Sequence, residues 1–490
     1  MSSSDPPEPG DDHRRHLRRG FNWLGGATII AKLIDFGTII TVLFFLSKEQ
    51  VGVASLVVSI GAVIESVNDV GTGPAMIQAR SLSRPQLDTV FWMIIGLSLL
   101  VAAGLVLISP LFGMLYGIAG MTGYLAAIAL KQPIVGAAVV STTLLNRELK
   151  YERLAMIRVF ATFAAAITRL GLAVAGAGAW ALVLGFVANG VFTLIAAQIA
   201  RPFWPASRFR WNAISGLMQF GVRASASNVL TQLFKNVDYL LIGWLYGPNQ
   251  LAIYRVAFDL AMEPVTAVGT LINRTSMPVF SRIWDRKAEL VSALKWSLGR
   301  LEVVILPVMA FFVLAADPLM GLLHDGEGHS YAGAALPLKV LAIAAMLRVT
   351  LEMVYPLILA SGRPGLAVRL AATTLLLLAA GVLVIGTTVR ATFGLTAVSA
   401  VWLLLYAPLL IWAARLLERD WQIHLREVAG ALWLPLAAIV VLAALWVPIH
   451  FLVVSQGAWL QVAAAALVAA SAYLGMYAYT RWRRAPELPS

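Results

Sequence analysis

Fourteen apolar stretches, each close to the length a helix needs to cross a bilayer, follow one another along this chain with little between them. A spanning helix takes about 20 mostly apolar residues. Runs of that kind occupy 21–46, 52–76, 89–115, 121–145, 155–174, 179–200, 217–246, 251–272, 292–323, 333–360, 366–389, 394–416, 428–453 and 459–480. Short turns containing Gly, Pro, Asn or Ser separate many of them, as at 47–51 and 247–250. With 60% hydrophobic and 13% charged residues, the chain has too little polar surface to be covered by water on all sides. The predicted fold is all-α: a polytopic membrane protein of about 14 transmembrane helices.

Charge placement orients these helices. Of 37 Lys and Arg residues, 24 fall in or at the edges of segments on one side. Only Lys48 and Arg390 lie in loops on the other, and eleven lie within the runs. Positive residues accumulate on the cytoplasmic side of membrane proteins, so both termini are expected there. The net charge of +12 is therefore a signal of membrane orientation, and nucleic acid is not an expected partner. Residues 1–20 are polar, with Arg14, Arg15, Arg18 and Arg19, and the apolar stretch after them is too long for a signal-peptide core. They read as a cytoplasmic tail.

Charges inside apolar runs are the main functional signal. Each costs about 2.5–3.5 kcal/mol at a helix centre on insertion scales, so such residues are expected to face a bundle interior or a watery cavity. Lys32–Asp35, Lys235–Asp238, Arg255–Asp259 and Arg348–Glu352 are three or four residues apart, on one helix face, where they can neutralise each other. Arg158, Arg223, Lys295 and Lys339 lie near run ends and can snorkel. Lys131 and Arg169 have no acid three or four residues away. The expected result is a cavity with a positive lining, built from Lys131, Arg169, Arg223, Arg255, Arg348, Lys32 and Lys235, suited to an anion such as a diphosphate. Asp259, Glu263, Asp35 and Asp238 are the candidates for ion coupling, since a carboxylate in a changing environment can change its proton occupancy.

Other chemistry is sparse. There is no cysteine, which removes disulfides, thiolate metal sites and thiol nucleophiles. No phosphate-binding glycine loop, nucleophile elbow or zinc-protease motif occurs. His13 and His16 sit in the tail, and His324 and His329 flank Asp325 and Glu327 in an outward loop. Both groups read as surface residues; no metal site and no cofactor is expected. Trp23, Trp204, Trp211 and Trp421 lie near run ends, as interfacial anchors do.

The first twelve runs divide into two sets of six around the basic connector 201–216, and a weak internal echo supports the division. LSKEQVGVA from Leu46 and YGPNQLAIY from Tyr246 both follow a long run carrying a Lys and an Asp. Internal repeats in transporters place the substrate path at their interface. The expected organisation is a tail (1–20), an N-lobe (21–200), the connector (201–216), a C-lobe (217–416) and an added helix pair (417–490).

The stretch NVDYLLIGWLYGPNQLAIYRVA, with Asn236, Asp238, Ile242, Gly243, Gly247, Leu251, Tyr254 and Ala257, resembles the polysaccharide transporter branch, the Wzx-like flippases, of the multidrug/oligosaccharidyl-lipid/polysaccharide exporter superfamily. MPVFSRIWD, with Pro278 and Ser281, and LLNRELKYERLA, with Arg147 and Tyr151, are similar to the loops after the eighth and fourth spans of that family. So are Gly52, Gly71 and AMIQ at 75–78 to its second span. Ala252 stands where a glycine is usual. The resemblance implies two six-helix lobes around a central cavity, plus two C-terminal helices. It implies a substrate of undecaprenyl-diphosphate-linked oligosaccharide in the bacterial inner membrane, translocated for exopolysaccharide, capsule or O-antigen synthesis. Membrane lipid, a polysaccharide polymerase and chain-length proteins are the partners it implies. Two readings compete. A cation-coupled drug exporter of the same superfamily would favour acidic, aromatic cavity walls. A membrane polymerase or ligase would need a large outward loop with clustered catalytic groups, and the loops here are short. The chain is therefore not expected to be an enzyme.

Overall fold

The computed structural model describes residues 9–68, 71–79, 81–424, 426–427 and 433–482. Sixteen α-helices account for nearly all of them: α1 (Pro9–Leu43), α2 (Lys48–Asn68), α3 (Thr72–Gln78), α4 (Arg84–Tyr116), α5 (Met121–Arg147), α6 (Tyr151–Val174), α7 (Ala179–Ala200), α8 (Ser215–Tyr246), α9 (Pro248–Ile283), α10 (Lys287–Leu322), α11 (Ala335–Leu351), α12 (Val354–Ala360), α13 (Pro364–Thr388), α14 (Arg390–Trp421), α15 (Trp433–Val453) and α16 (Ala458–Trp482). Among the described residues, every apolar run falls on a helix. The second is divided between α2 and α3, and the tenth between α11 and α12. Among the described residues, eleven helical stretches are long and apolar enough to cross a membrane. Neither α8 nor α9 is among them; α9 carries Arg255, Asp259 and Glu263 in its first half, which lowers its apolarity where charge is concentrated. Within the segment 1–20, α1 begins at Pro9 and continues into the first apolar run.

Local chemistry sets the helix ends. Ser83 caps α4, and Gln86 accepts from its backbone N–H at 2.8 Å, the reciprocal arrangement of a capping box. Between α8 and α9, Gly247 has φ +80° and Pro248 opens the next helix. Glycine alone enters that backbone region freely, and proline at a first helical position gives up no hydrogen bond.

The chain forms two compact units, residues 1–236 and 237–490. The division falls inside α8, rather than at the connector 201–216. In the first unit α5 packs against α2, α3, α4, α6 and α7, while α6 also packs against α1. The connector belongs to this unit and is fastened to the start of α4. The buried carboxylate of Asp88 accepts from Ala206 N–H at 3.1 Å, Trp92 Nε1 donates to the Ala206 carbonyl, and the Arg84 guanidinium donates to the Trp204 carbonyl. In the second unit α10 packs against α9, α11, α15 and α16, and α11 against α9 and α14. The last helix pair packs on α10 through Val303, Leu306 and Ala310 against Ala438, Leu442, Val468 and Ala472.

Outer helices leave large apolar side chains uncovered, including Leu100, Leu107 and Met114 of α4, as a lipid-facing helix does. Trp23, Trp204 and Trp211 are exposed, but Trp421 is buried beneath the guanidinium of Arg363, 5.7 Å from its ring centre. The anchor role expected for Trp421 gives way to packing.

Candidate functional site

Lys131 and Arg169, which have no acid three or four residues away, are both paired across helices. Lys131 of α5 reaches Glu65 of α2, Nζ to Oε2 at 2.7 Å. Arg169 of α6 reaches Asp35 of α1, Nη1 to Oδ1 at 2.8 Å. Sequence separations of 66 and 134 residues hid both partners. Helix α7 makes the packing possible. A Cβ at Gly185 would lie 2.1 Å from Arg169 Cγ, and one at Gly190 would lie 3.1 Å from Lys131 Cγ and Cε. The aliphatic stems of both cations thus lie against glycine positions of one helix. Between those glycines Phe186 presents its ring to Lys131 Nζ, 3.2 Å from the centroid, a close cation–π contact. The cations sit deeper than their partners: Lys131 is 3% and Arg169 13% exposed, against 31% for Glu65 and 37% for Asp35.

The second unit holds a separate polar network. Asp238 of α8 is fully buried, and its oxygens accept from the Tyr239 backbone N–H at 2.9 Å and the Tyr254 hydroxyl at 2.8 Å. Trp402 of α14 donates its Nε1–H to the Tyr254 oxygen at 2.8 Å. One residue on, Tyr239 donates to Asp259 at 2.9 Å, and Arg255 donates to the other oxygen of Asp259 at 3.2 Å. Arg348 donates to Glu352 at 3.2 Å and contacts the sulfur of Met262 at 3.7 Å. Glu263 acts electrostatically on both Arg255 and Arg348. The same-face pairs Arg255–Asp259 and Arg348–Glu352 are therefore present as their spacing predicts. Asp238 is held by Tyr254, and Asp35 by Arg169. Lys32 and Lys235 are exposed; the side chain of Arg223 lies outside the described residues.

Two loop features complete the picture. Asp325, buried in the α10–α11 loop, accepts from the backbone N–H groups of His329 and Glu327 at 2.7 and 3.1 Å, so it shapes the turn. Glu148, between α5 and α6, accepts from Lys150 and from Arg201 at the end of α7, the latter at 2.8 Å. The hydrogen bond from Lys150, and then that from Arg201, hold its carboxyl below the ordinary range. A lowered folded value means stability that is present above the unfolded pKa and lost as pH falls through the folded one. The thermal stability gap between wild type and Glu148→Gln is expected at neutral pH and should close in acid; a gap independent of pH would exclude this ionic role.

A family model described as "Polysaccharide biosynthesis protein" matches residues 44–327, more than half of the chain. The chain belongs to this family. Among the polysaccharide biosynthesis proteins it is 22% identical over 358 residues to the lipopolysaccharide biosynthesis protein WzxC of Escherichia coli (strain K12), covering 71% of each chain. It is 21% identical over 321 residues to the succinoglycan biosynthesis transport protein ExoT of Rhizobium meliloti (strain 1021), covering 65% of each. The teichuronic acid biosynthesis protein TuaB of Bacillus subtilis (strain 168) is 23% identical over 309 residues, 61% of this chain and 62% of TuaB. Among solved structures, the lipid II flippase MurJ in an inward closed conformation superposes with a TM-score of 0.71 at 13% identity, over 94% of this chain and 99% of MurJ. An inward-facing multidrug resistance MATE transporter gives 0.60 at 15% identity, over 79% and 93%. This polysaccharide biosynthesis protein is thus a multi-pass, transporter-like membrane protein with the fold shared by MurJ and the MATE transporters.

The sequence signalled some of the network and missed the rest. Tyr254 lies in the motif that carried the family resemblance. Trp402, Phe186, Gly185 and Gly190 had no local signal, because their roles arise from helices brought together in space.

Proposed function

We propose that this protein is a flippase that carries undecaprenyl-diphosphate-linked oligosaccharide units from the cytoplasmic to the outer leaflet by alternating access, with both termini cytoplasmic. The observation that carries this reading is the paired arrangement Lys131–Glu65 and Arg169–Asp35 beside α7, in a chain of a polysaccharide biosynthesis family. A sugar and a diphosphate cannot cross hydrocarbon unaided, whereas a polyprenyl chain is at home in it. Resting ion pairs keep the cations neutralised without a ligand. A diphosphate entering the site exchanges for the carboxylates, and the carboxylates retake the cations when it leaves, so the site does not hold its cargo too tightly. Asp35 and Glu65, which release and retake the cations in this cycle, are one route to ion coupling. Asp259 and Glu263, beside two arginines, supply another in the second unit. Arg255 and Arg348 belong to that second-unit cluster; Lys32, Lys235 and Arg223 are proposed as further substrate-binding cations.

Energetics support the direction. An inside-negative potential drives negative charge outward by about 2.3 kcal/mol per elementary charge per 100 mV. In vesicles loaded with a fluorescent lipid-linked oligosaccharide, flipping is expected to accelerate when a potassium-diffusion potential makes the substrate side negative and to slow when the sign is reversed. Arg169→Ala should lower the rate by about tenfold or more, the loss of one charge-assisted contact. Flipping indifferent to both changes would remove this reading. The aromatic surround of Asp238 favours a cation exporter as a second reading; potential-independent uptake of an organic cation, with no flipping of the oligosaccharide lipid, would support it instead.

A further inference from the structure

Helices α13 and α14 form an open groove with a cavity volume of about 550 Å³, walled almost entirely by apolar side chains. That volume lies within the usual range for small-molecule sites. The helices approach closely at one level, where a Cβ on Gly381 would stand 2.7 Å from Val401 Cγ1. On the Arg369 side of that contact, Leu377 and Leu404 stand 52% and 61% exposed.

Two properties select an occupant. The first is length. The groove's α13 wall runs from Leu366 to Ile385, and at 1.5 Å per residue this is about 28 Å, close to the roughly 30 Å hydrocarbon thickness of a bilayer. An acyl chain of one leaflet spans about half that depth; a polyisoprenoid long enough to pass the midplane fills it. The second is charge. Among the described residues, Arg369 is the one charged residue lining the groove, exposed at the end near Trp412, with its Nε donating to the Gly365 carbonyl at 3.3 Å. Among the described residues, the lining at the opposite end, near Ile385, is apolar. A guanidinium is well matched to phosphate oxygens, and the positive-inside bias puts this end at the cytoplasmic leaflet, where the substrate enters.

From this we infer that the α13–α14 groove docks the chain of a polyprenyl phosphate carrier lipid, with Arg369 receiving its phosphate. The inference rests on the lipid-linked substrate proposed above and deepens it, because it gives the carrier chain a track on the protein and a phosphate station distinct from the Lys131 and Arg169 site. Helix association in lipid gains little from burying apolar surface, so selection here comes from shape along the groove and from the phosphate contact at its end.

The test uses the full chain in nanodiscs with a diazirine-bearing undecaprenyl phosphate, followed by peptide mapping. Labelling is expected on peptides from 364–388 and 390–421 and should be competed by unlabelled undecaprenyl phosphate but not by equimolar phosphatidylglycerol. Arg369→Gln should reduce it about tenfold, as expected for loss of one charge-assisted contact. Thr373→Trp, at an exposed position on the groove wall, should block it while leaving Arg369 in place. Labelling elsewhere, equal competition by phosphatidylglycerol, or wild-type labelling of both variants would overturn the inference. The potential-driven flipping assay separates the two ideas. Wild-type flipping with an unlabelled groove sinks the groove alone; groove labelling without flipping sinks the transport reading alone.

Discussion

Lys131→Met combined with Glu65→Gln is expected to restore the stability that either change alone removes, while transport stays at least about tenfold below wild type. Lys131 is 3% exposed and lies 2.7 Å from Glu65. Removing one member of a fully buried pair costs about 3–5 kcal/mol. Glu65→Gln should approach that range, because it leaves the deep ammonium with only the Phe186 ring. Lys131→Met leaves a carboxylate that is 31% exposed and can rehydrate, so its cost should be smaller, about 1–3 kcal/mol. The double variant leaves no unpaired charge, and a neutral, well-packed replacement is often as stable as the original pair. Its thermal unfolding should therefore match wild type within about 1 kcal/mol. Transport is a different measurement. The anion site needs the cation, and Met cannot supply it. If the stable double variant flips substrate at the wild-type rate, Lys131 is a structural residue and the diphosphate assignment fails at that position. Neither single variant can separate these roles, because each perturbs folding and site charge together.

The same pair shows where sequence reading succeeds and where it stops. Among the described residues the apolar runs fall on helices, because hydrocarbon demands long uninterrupted helices whatever their tertiary arrangement. Same-helix pairs such as Arg255–Asp259 were also legible, since residues four apart on a helix are neighbours by geometry. Lys131–Glu65 and Arg169–Asp35 were not, because α2, α5, α6 and α1 meet only in the folded unit. The lack of an acid three or four residues away says nothing of acids on other helices. Two devices in α7, the glycines at 185 and 190, look like ordinary small residues of a membrane helix until the side chains lying on them are seen. Trp421 misled for a related reason. Its place at a run end fits an interfacial anchor, yet Arg363 covers it.

Tyr254→Phe is expected to be among the most destabilising conservative changes in the second unit, because one hydroxyl serves two buried partners. It donates to Asp238 at 2.8 Å and accepts from Trp402 Nε1 at 2.8 Å, and Asp238, Tyr254 and Trp402 are each at most 1% exposed. Without it, a buried carboxylate loses a donor, worth about 1.5–3 kcal/mol, and an indole N–H loses its acceptor, worth about 1–3 kcal/mol. A combined loss of about 3–5 kcal/mol should appear in thermal unfolding of the purified protein. Phenylalanine keeps the ring, so packing against Phe258, 5.7 Å between centroids, should persist and the loss can be assigned to the hydroxyl. Trp402→Phe in the Tyr254→Phe background should cost less than Trp402→Phe alone, since the indole N–H has already lost its acceptor; that non-additivity is the mark of two residues sharing one contact. Asp238→Asn should also destabilise, because its single amide oxygen can accept from only one of the two donors, the Tyr254 hydroxyl and the Tyr239 N–H. If Tyr254→Phe unfolds within about 0.5 kcal/mol of wild type, the chain from Trp402 to Asp238 contributes no more than an ordinary surface contact, and α8, α9 and α14 are held by packing alone.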